Sequence, residues 1–201
     1  MPVVSRLAEQ IAFLIEADKL KSILRRTPLA DASRPENSAE HSWHLALAAM
    51  VLREYAPAGF DLQRTLELVI VHDLVEIDAG DTFAYDVSAQ ETKAERERAA
   101  ADRIFGLLPA DQRDRIRRLW EEFEAHETPE SRFANALDRL QALLLNSSSG
   151  GGSWRTARIT RAHVLRRMAP VESVLPDVWP YVVEVIDAFC ASGGIAVDDS
   201  A

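Results

Sequence analysis

Apolar residues recur at helical spacing from Leu62 to Thr82, in the stretch LQRTLELVIVHDLVEIDAGDT, and charged residues lie among them. A period of three to four residues predicts a buried helix, and Gly80 is a suitable residue to end it. The apolar positions of this helix are Leu62, Leu66, Val69, Ile70, Leu74 and Ile77. His72 and Asp73 interrupt the apolar series. Because a buried carboxylate without a partner costs several kcal/mol, this pair predicts a bound cation.

Three predicted helices carry residues that are suitable ligands for a divalent ion. His72 and Asp73 come from the central helix, His41 from the helix before it and Asp138 from a later one. Two imidazoles and two carboxylates form a mixed nitrogen and oxygen shell that leaves positions for water on an octahedral metal. Glu76 lies one turn beyond the histidine and aspartate, on the same side of the helix. We therefore expect a metal site with a further carboxylate beside it.

The pattern alone leaves other interpretations of these residues open. The adjacent histidine and aspartate could be a hydrogen-bonded pair in the core, and Asp138 could simply pair with Arg139. His44 follows His41 by one helical turn, so both imidazoles could be ligands, or His44 could have a packing role. The positions of these side chains in the fold decide between the interpretations.

Helix signals cover most of the chain. The first predicted helix runs from Val4 to about Arg25 with Ser5 as its cap, and a capping box at Asn37 and Glu40 starts the second. Further helices are predicted from Ala89 to Leu108, up to about Ala125, from Thr128-Pro129 onward and from Asp177 to Ala191. We find no repeat and no alternating strand of useful length. The sequence therefore predicts an all-α fold, a single domain over residues 1–201 with its core at about 4–190.

Three segments are expected to lie outside the helices. Pro28 and Pro35 break the pattern between Thr27 and Glu36, which predicts an ordered loop. Residues 146–153, NSSSGGGS, contain only serine, glycine and asparagine, so we expect a mobile surface loop there. Residues 195–201 are expected to form a frayed tail.

The charge of the chain restricts the class of partner. A net charge of −9 at pH 7 would repel the phosphates of a polynucleotide, so we expect no nucleic-acid polymer as a partner. The arginine-rich segment 154–168 is accordingly expected to be a solvated or subunit-facing side of a helix. Arg25, Arg26 and Arg34 lie just before His41, however, and a planar guanidinium suits the phosphate of a small molecule.

Two further features bear on the compartment. The chain has no run of about twenty apolar residues and no recognisable signal peptide, so no membrane association is expected. Its single cysteine, Cys190, excludes an internal disulfide and fits a reducing compartment. We therefore expect a cytoplasmic protein.

Five motifs resemble those of the HD-domain metal-dependent phosphohydrolases, in particular the branch with bacterial and human 5'-deoxynucleotidases. They are ENSAEHSWHLALAAMVL (36–52), VHDLVEIDAGDT (71–82), RIFGLLP (103–109), LWEEFE (119–124) and TPESRFANALDRLQ (128–141). The resemblance spans about residues 4–190 and implies an HD-domain helical bundle in which His41, His72, Asp73 and Asp138 bind the metal. Only His126 lies where two-metal members carry extra histidines, so one ion is expected. Mn, Fe, Co, Ni and Zn all accept such a shell.

The resemblance also implies an activity and a set of roles. The expected reaction releases phosphate from deoxyribonucleoside or ribonucleoside 5'-monophosphates by attack of water that the ion activates. Glu76 is implied as the catalytic carboxylate and Asp81 as an acid on the substrate side. Arg26 matches approximately the phosphate-contacting arginine of the family, and Arg25 is one residue away. The family also implies a homodimer.

Two more residues are candidates for substrate contacts, and two other functions stay open. Arg34 and Trp43 are additional candidates for contacts with the substrate, because both lie near His41 in the sequence. An alternative is a hydrolase of the same family that acts on a nucleoside triphosphate or a phosphodiester. A third possibility is a non-catalytic helical module that binds a nucleotide or a partner protein.

Overall fold

The computed structural model describes residues 3–195, and most of them are helical. The helices are α1 (Val3–Ala17), α2 (Ser38–Val51), α3 (Leu62–Val71), α4 (Glu76–Ala79), α5 (Val87–Phe105), α6 (Ala110–Ala125), α7 (Pro129–Ser148), α8 (Gly152–Thr156), α9 (Arg161–Val174) and α10 (Trp179–Ala191). Two short strands, β1 (Leu24–Pro28) and β2 (Pro35–Asn37), form an antiparallel hairpin between α1 and α2. The predicted helical class is confirmed, and the hairpin is an addition to it.

Helix α7 lies at the centre of the core. Its N-cap residue Thr128 accepts a hydrogen bond from the N–H of Ser131, and a proline occupies the first turn, so the predicted start is confirmed. Phe133, Leu137 and Leu140 are buried along this helix, which packs against α2, α3, α6 and α9. Burial of each such side chain contributes about 1.5–3 kcal/mol. Because α2 and α3 both pack on α7, candidate ligands from these elements can meet in one place.

Helix α1 is shorter than predicted. It ends at Ala17 instead of near Arg25, and Ser5 lies inside the helix rather than at its N-cap. A 3₁₀ turn follows, and its buried residue Leu20 packs into the core. Since Leu20 continues the helical period of α1, the sequence pattern extends beyond the helix itself.

The hairpin corrects the prediction of a loop between residues 27 and 36. Leu24 lies opposite Asn37 and Pro28 opposite Pro35 in the antiparallel register. Strands this short carry too few residues for a period of two to be recognised, and their prolines are typical of loops. The strand matters for function because successive residues of a strand point to opposite faces.

The predicted central helix is divided into two. Helix α3 ends at Val71, and residues 72–75 form a tight turn before α4 begins at Glu76. The N–H groups of Leu74 and Glu76 bond to carbonyl oxygens three residues earlier, at 3.1 and 2.9 Å, which is 3₁₀ geometry. Because residues three apart eclipse one another in such a turn, Asp73 and Glu76 lie on the same side.

Two details of this segment were also predicted. Gly80 ends α4 at a φ of +73°, as expected for a residue without a Cβ. Ile70 is 56% exposed, so its prediction as a buried residue is wrong. Helix α3 buries only the side that packs on its neighbours, where Leu68 and Val69 lie.

The segment 146–153 is not a long surface loop. Helix α7 continues to Ser148 and α8 begins at Gly152, so only a short turn lies between them. Asn146 and Ser153 are buried, and the side-chain oxygen of Asn146 accepts hydrogen bonds from the N–H and hydroxyl of Ser153, both at 2.9 Å. The polar composition that indicates a loop therefore supplies internal hydrogen bonds that hold the turn.

The prediction of a frayed tail at residues 195–201 is tested at its first residue only. Ile195, at the start of the predicted tail, is buried. Residues 196–201 lie outside the described residues. No helix within residues 3–195 has both the length and the apolar character needed to cross a membrane.

Candidate metal centre and adjoining cavities

The four predicted ligand residues converge. His41 lies on the first turn of α2, where a capping box fixes the helix start, His72 and Asp73 lie in the 3₁₀ turn, and Asp138 lies in the middle of α7. Potential ligand atoms of His41, His72 and Asp73 all lie within 4.8 Å of one another. The Oδ1 atom of Asp138 is 3.1 Å from Nε2 of His41. The structure thus brings two buried imidazoles and two carboxylates into one cluster.

One ring nitrogen of His72 has no hydrogen-bond partner. Its Nδ1 is 2.8 Å from the carbonyl oxygen of Val69, which can only accept, so Nδ1 carries the proton of the neutral ring. Burial lowers the pKa of His72 and favours this neutral form. Its Nε2 therefore presents a lone pair 3.0 Å from Oδ1 of Asp73, without a hydrogen bond. Two lone pairs this close repel each other, so the arrangement fits a cation bound by both.

His41 has a similar arrangement. The amide nitrogen of Gln141 donates to Glu36 at 2.6 Å, which directs the amide oxygen to Nδ1 of His41 at 3.1 Å. Nδ1 is therefore the donor, and Nε2 faces Asp138. Burial and Arg25 lower the pKa of His41, but its hydrogen bonds to Asp138 and Glu36 outweigh them and raise it to about 9. In the metal-free protein a proton can lie where His41 and Asp138 would share an ion.

The guanidinium of Arg25 lies among the carboxylates of the cluster. Its Nη1 is 3.0 Å from Asp73 and 3.7 Å from Asp81, and its Nη2 is 3.8 Å from Asp138. Burial alone would lower the pKa of Arg25, but the carboxylates around it raise the pKa instead. One guanidinium cannot balance this many carboxylates, so the electrostatics also favour a divalent cation.

The two predicted catalytic acids lie beside these ligands. Glu76 is buried, and its Oε2 accepts a hydrogen bond from the hydroxyl of Ser38 at 2.6 Å. Burial, and then the charge of Asp73, raise the pKa of Glu76 well above its ordinary value. Burial also raises the pKa of Asp81. Both acids line the same cavity as His72 and Asp73.

The four predicted substrate-binding residues divide into two pairs. Arg25 and Arg26 line a cavity next to the ligands, and the guanidinium of Arg26 lies 4.9 Å from the centre of the Phe83 ring. Arg34 instead pairs with Glu40 at the surface, and the side chain of Trp43 is 65% exposed. Neither Arg34 nor Trp43 is among the described residues that line the cavities at the cluster. The geometry therefore gives the predictions for Arg34 and Trp43 no support, and both stay predictions.

His44 contacts the cluster only through a second residue. Its Nδ1 is 3.2 Å from the amide nitrogen of Gln141, which is the residue that orients His41. Within residues 3–195, the group of potential ligands that lie within reach of one another includes neither His44 nor Asp138, but Asp138 lies 3.1 Å from His41, whereas His44 lies beside Gln141. The geometry therefore favours the supporting role for His44 over the role of a ligand.

Five residues at the site were not predicted. Glu36, Ser38 and Gln141 lie inside the motifs that carry the resemblance, but nothing in the motifs distinguishes them from structural residues. Arg139 adjoins Asp138, and the sequence indicates it only as a partner of that residue. Arg167 belongs to the segment expected to be solvated, yet its Nη2 lies 3.5 Å from Asp138. This contact between α7 and α9 depends on tertiary packing, so no local signal could have indicated it.

Two connected cavities lie at the cluster. We call the one lined by His72, Asp73 and Glu76 the carboxylate cavity. We call the other the aromatic cavity, because Phe83, Tyr85, Trp154 and apolar residues of α7 and α9 line it. Seven residues line both cavities, and this shared boundary is the junction of the two: Arg25, Asp81, Thr82, Ala84, Asp138, Arg139 and Arg167.

Comparisons with known proteins agree with this geometry. The HD domain family model matches residues 17–179. Human 5'-deoxynucleotidase HDDC2 is 32% identical over 136 residues, which are 65% of this chain and 65% of the human protein. The HDDC2 protein of Mus musculus is 32% identical over 138 residues, 66% of this chain and 68% of its own length. The match to the human relative thus spans slightly less than two thirds of that protein.

Solved structures show similar folds. A crystal structure from Magnetospirillum magnetotacticum, described as a predicted metal-dependent phosphohydrolase, is 48% identical, with a TM-score of 0.89. That likeness covers 96% of this chain and 99% of the other. A conserved hypothetical protein from Pyrococcus furiosus is 23% identical over 90% of this chain and 99% of its own, with a TM-score of 0.62. At that identity the likeness concerns the fold alone.

Proposed function

Because this chain belongs to the HD domain family and two of its buried imidazoles face carboxylates, we propose that it is a metal-dependent phosphohydrolase. The proposed substrates are nucleoside 5'-monophosphates, with the deoxy forms preferred, and the products are a nucleoside and inorganic phosphate. The names of the human and mouse relatives, 5'-deoxynucleotidases, support this choice of substrate.

His41, His72, Asp73 and Asp138 would hold the ion. The observation that carries this assignment is the unpartnered Nε2 of His72, whose lone pair faces Asp73 at 3.0 Å. A mixed shell of nitrogen and oxygen suits Mn, Fe, Co, Ni or Zn, and we propose one such ion. A divalent ion supplies a Lewis acid for a phosphoryl oxygen and lowers the pKa of water from about 15.7 toward about 7.

We assign Glu76 as the proton donor to the leaving 5'-oxygen. Burial and the charge of Asp73 raise its pKa, which favours the protonated carboxyl group that a general acid needs. The hydroxyl of Ser38 donates to Oε2, which leaves Oε1 available to carry that proton. Asp81 lies at the junction of the two cavities, where it can accept a hydrogen bond from a sugar hydroxyl.

The aromatic cavity is the proposed place of the nucleoside. Aromatic rings of Phe83, Tyr85 and Trp154 line it, and planar rings of this kind suit a nucleobase. The carboxylate cavity would hold the phosphate end of the substrate, since the junction joins the two. Arg26, which lies against Phe83, would adjoin the nucleoside rather than the phosphate.

A panel of nucleotides tests the proposal. Purified protein loaded with different divalent ions is incubated with nucleoside mono-, di- and triphosphates and with a phosphodiester, and the products are separated by chromatography. We expect inorganic phosphate and nucleoside from the 5'-monophosphates, and no release by His72→Ala. Phosphate release that persists unchanged in both His72→Ala and Glu76→Ala would contradict the proposal.

We also propose that the protein acts as a homodimer in the cytoplasm. Helix α2 presents a stripe of exposed apolar side chains, namely Trp43, Leu47, Met50 and Val51, and Ile70 of the adjoining α3 is exposed as well. An apolar patch of this kind is typical of a subunit interface. The single cysteine supports a reducing compartment.

A further inference from the structure

Three arginine side chains meet at the junction between the carboxylate cavity and the aromatic cavity. Arg25 comes from β1, Arg139 from α7 and Arg167 from α9. They differ in how far their charge is already balanced. Arg25 lies within 4 Å of Asp73, Asp81 and Asp138, so carboxylates of the protein already balance its charge, although only the contact of Nη1 with Asp73 is a hydrogen bond.

Arg139 has no carboxylate partner within 4 Å among the described residues. Its Nη1 donates to the backbone and side-chain oxygens of Asn135, both neutral groups. Its Nε is buried and has no acceptor. The guanidinium of Arg139 is thus partly buried, lines the same junction as Arg167, and has only neutral hydrogen-bond partners among the described residues.

Arg167 approaches the junction from the opposite helix. Its Nη2 is 3.5 Å from Oδ2 of Asp138, which is an ion pair but longer than an ordinary hydrogen bond. Its side chain remains 38% exposed and lines both cavities. Within residues 3–195 no hydrogen bond occupies its guanidinium, so its donors can bind a ligand that enters between α7 and α9.

We propose that Arg139 and Arg167 together bind the phosphate group of the substrate at the junction. The proposal rests on the proposed hydrolase function and names its phosphate-binding residues. A phosphate dianion supplies the acceptors that Arg139 lacks and reduces the repulsion between the two cations. It would then lie between the metal ligands on one side and the aromatic cavity on the other. An anion bound at the junction would balance the charge of Arg139, which has no carboxylate within ion-pair distance, and would give Arg167 a second partner beside Asp138.

Binding of inorganic phosphate tests the proposal without turnover. The variants are Arg139→Gln and Arg167→Gln, and Arg166→Gln is the matched control, because Arg166 is the exposed neighbour on the same helix. Calorimetry with metal-loaded protein should show phosphate binding roughly 10- to 100-fold weaker in each of the first two variants and unchanged in Arg166→Gln. The metal affinity should stay within a few-fold of wild type, since neither arginine is a proposed ligand.

Kinetics and a conservative variant separate this role from a structural one. KM for a nucleoside 5'-monophosphate should rise by a similar factor, and Arg139→Lys should recover part of the loss because it restores the charge but not the planar fork. If both glutamine variants bind phosphate as tightly as Arg166→Gln, the assignment is wrong. A wild-type protein that binds phosphate through these residues but hydrolyses no nucleotide would overturn the proposed function and leave this assignment standing.

Discussion

At the scale of single residues, the site depends on the hydrogen bond that each imidazole makes through its Nδ1, the nitrogen that faces away from the other ligands. A histidine binds a metal well only when its second nitrogen is fixed as a donor, because that contact sets the tautomer and the orientation of the ring. Val69 provides a backbone carbonyl oxygen for His72, whereas His41 depends on Gln141, which Glu36 orients. The backbone contact cannot be mutated directly, so Gln141 is the informative residue.

We predict that Gln141→Ala weakens metal binding roughly 10- to 100-fold, which is the usual effect of losing a partner of a ligand. His41 then loses the acceptor for its Nδ1 proton and can adopt other tautomers and ring orientations. Competition with a chromogenic chelator measures the affinity. Gln63→Ala, on the exposed side of α3, is the control and should bind metal like wild type. An equal loss in both variants would contradict the assigned role.

The second prediction concerns the pH dependence of metal binding. The pKa of His41 in the metal-free protein is raised to about 9, so the ring is protonated at neutral pH and must lose that proton to bind a metal. Affinity should therefore increase as pH rises from 6 to 8, by roughly tenfold per pH unit for one displaced proton. Titration calorimetry in buffers of different ionisation enthalpy counts the released protons. A pH-independent affinity across this interval would contradict protonation of His41.

The third prediction separates catalysis from binding at Glu76. Glu76→Gln keeps the shape and the acceptor for Ser38 but cannot deliver a proton to the leaving oxygen. We expect kcat to fall roughly 10²- to 10⁴-fold while KM and metal affinity change little. Glu95→Gln, on the exposed side of α5, provides a charge-matched control. A large change in metal affinity would instead indicate that Glu76 is a ligand.

At the scale of elements, the two local signals that start α2 and α7 proved reliable, whereas the predicted cap at Ser5 and the features that depend on packing did not. The capping box of α2 and the Thr128 cap of α7 depend on residues within one turn, so the sequence was sufficient to place His41 and Asp138 on their helices. The 3₁₀ turn at residues 72–75 has no such signal, because its apolar residues still follow the helical period. The strand at residues 24–28 decides which arginine faces the cluster, and a strand of this length cannot be recognised from its sequence.

The contact between β1 and α8 yields the fourth prediction. A Cβ on Gly152 would lie 2.7 Å from Cδ of Pro28 and from Oδ1 of Asn146, whereas a Cβ on Gly59 would meet nothing within 4 Å. Both glycines have positive φ, so each alanine variant carries backbone strain. Only Gly152→Ala also introduces a steric clash. This clash should lower the free energy of unfolding by a further 1–3 kcal/mol, roughly. Thermal unfolding should show a lower Tm for Gly152→Ala than for Gly59→Ala.

The same pair of variants also tests whether the hairpin positions Arg25. Displacement of Pro28 would move β1, and with it the guanidinium that contacts Asp73. We therefore expect Gly152→Ala to lose activity at temperatures where it remains folded, while Gly59→Ala keeps it. Equal activity of both folded variants would mean that Arg25 tolerates a shift of its strand.

At the scale of the whole molecule, the apolar stripe of α2 concerns the proposed dimer. Leu47 and Met50 are 42% and 54% exposed, and Trp43 and Ile70 extend the patch along α2 and onto α3. A stable interface buries about 800 Å² per partner, which a face of two adjacent helices can supply. Helix α1 also exposes apolar residues, such as Ile11 and Leu14, so the two faces must be compared in one experiment.

We predict that the double variant Leu47→Glu/Met50→Glu is a monomer under conditions in which the wild type is a dimer. Burying two carboxylates at the centre of an interface would cost several kcal/mol, whereas in the monomer both remain in water. The matched variant Ile11→Glu/Leu14→Glu on α1 should remain dimeric, and sedimentation velocity distinguishes the two states. If only the α1 variant is a monomer, the interface lies on α1 instead. If the wild type is itself a monomer, the proposed dimer is wrong. Because His41 lies on the same helix as Leu47, metal affinity should be measured for the monomeric variant as well; an unchanged value would mean that each subunit carries a complete site.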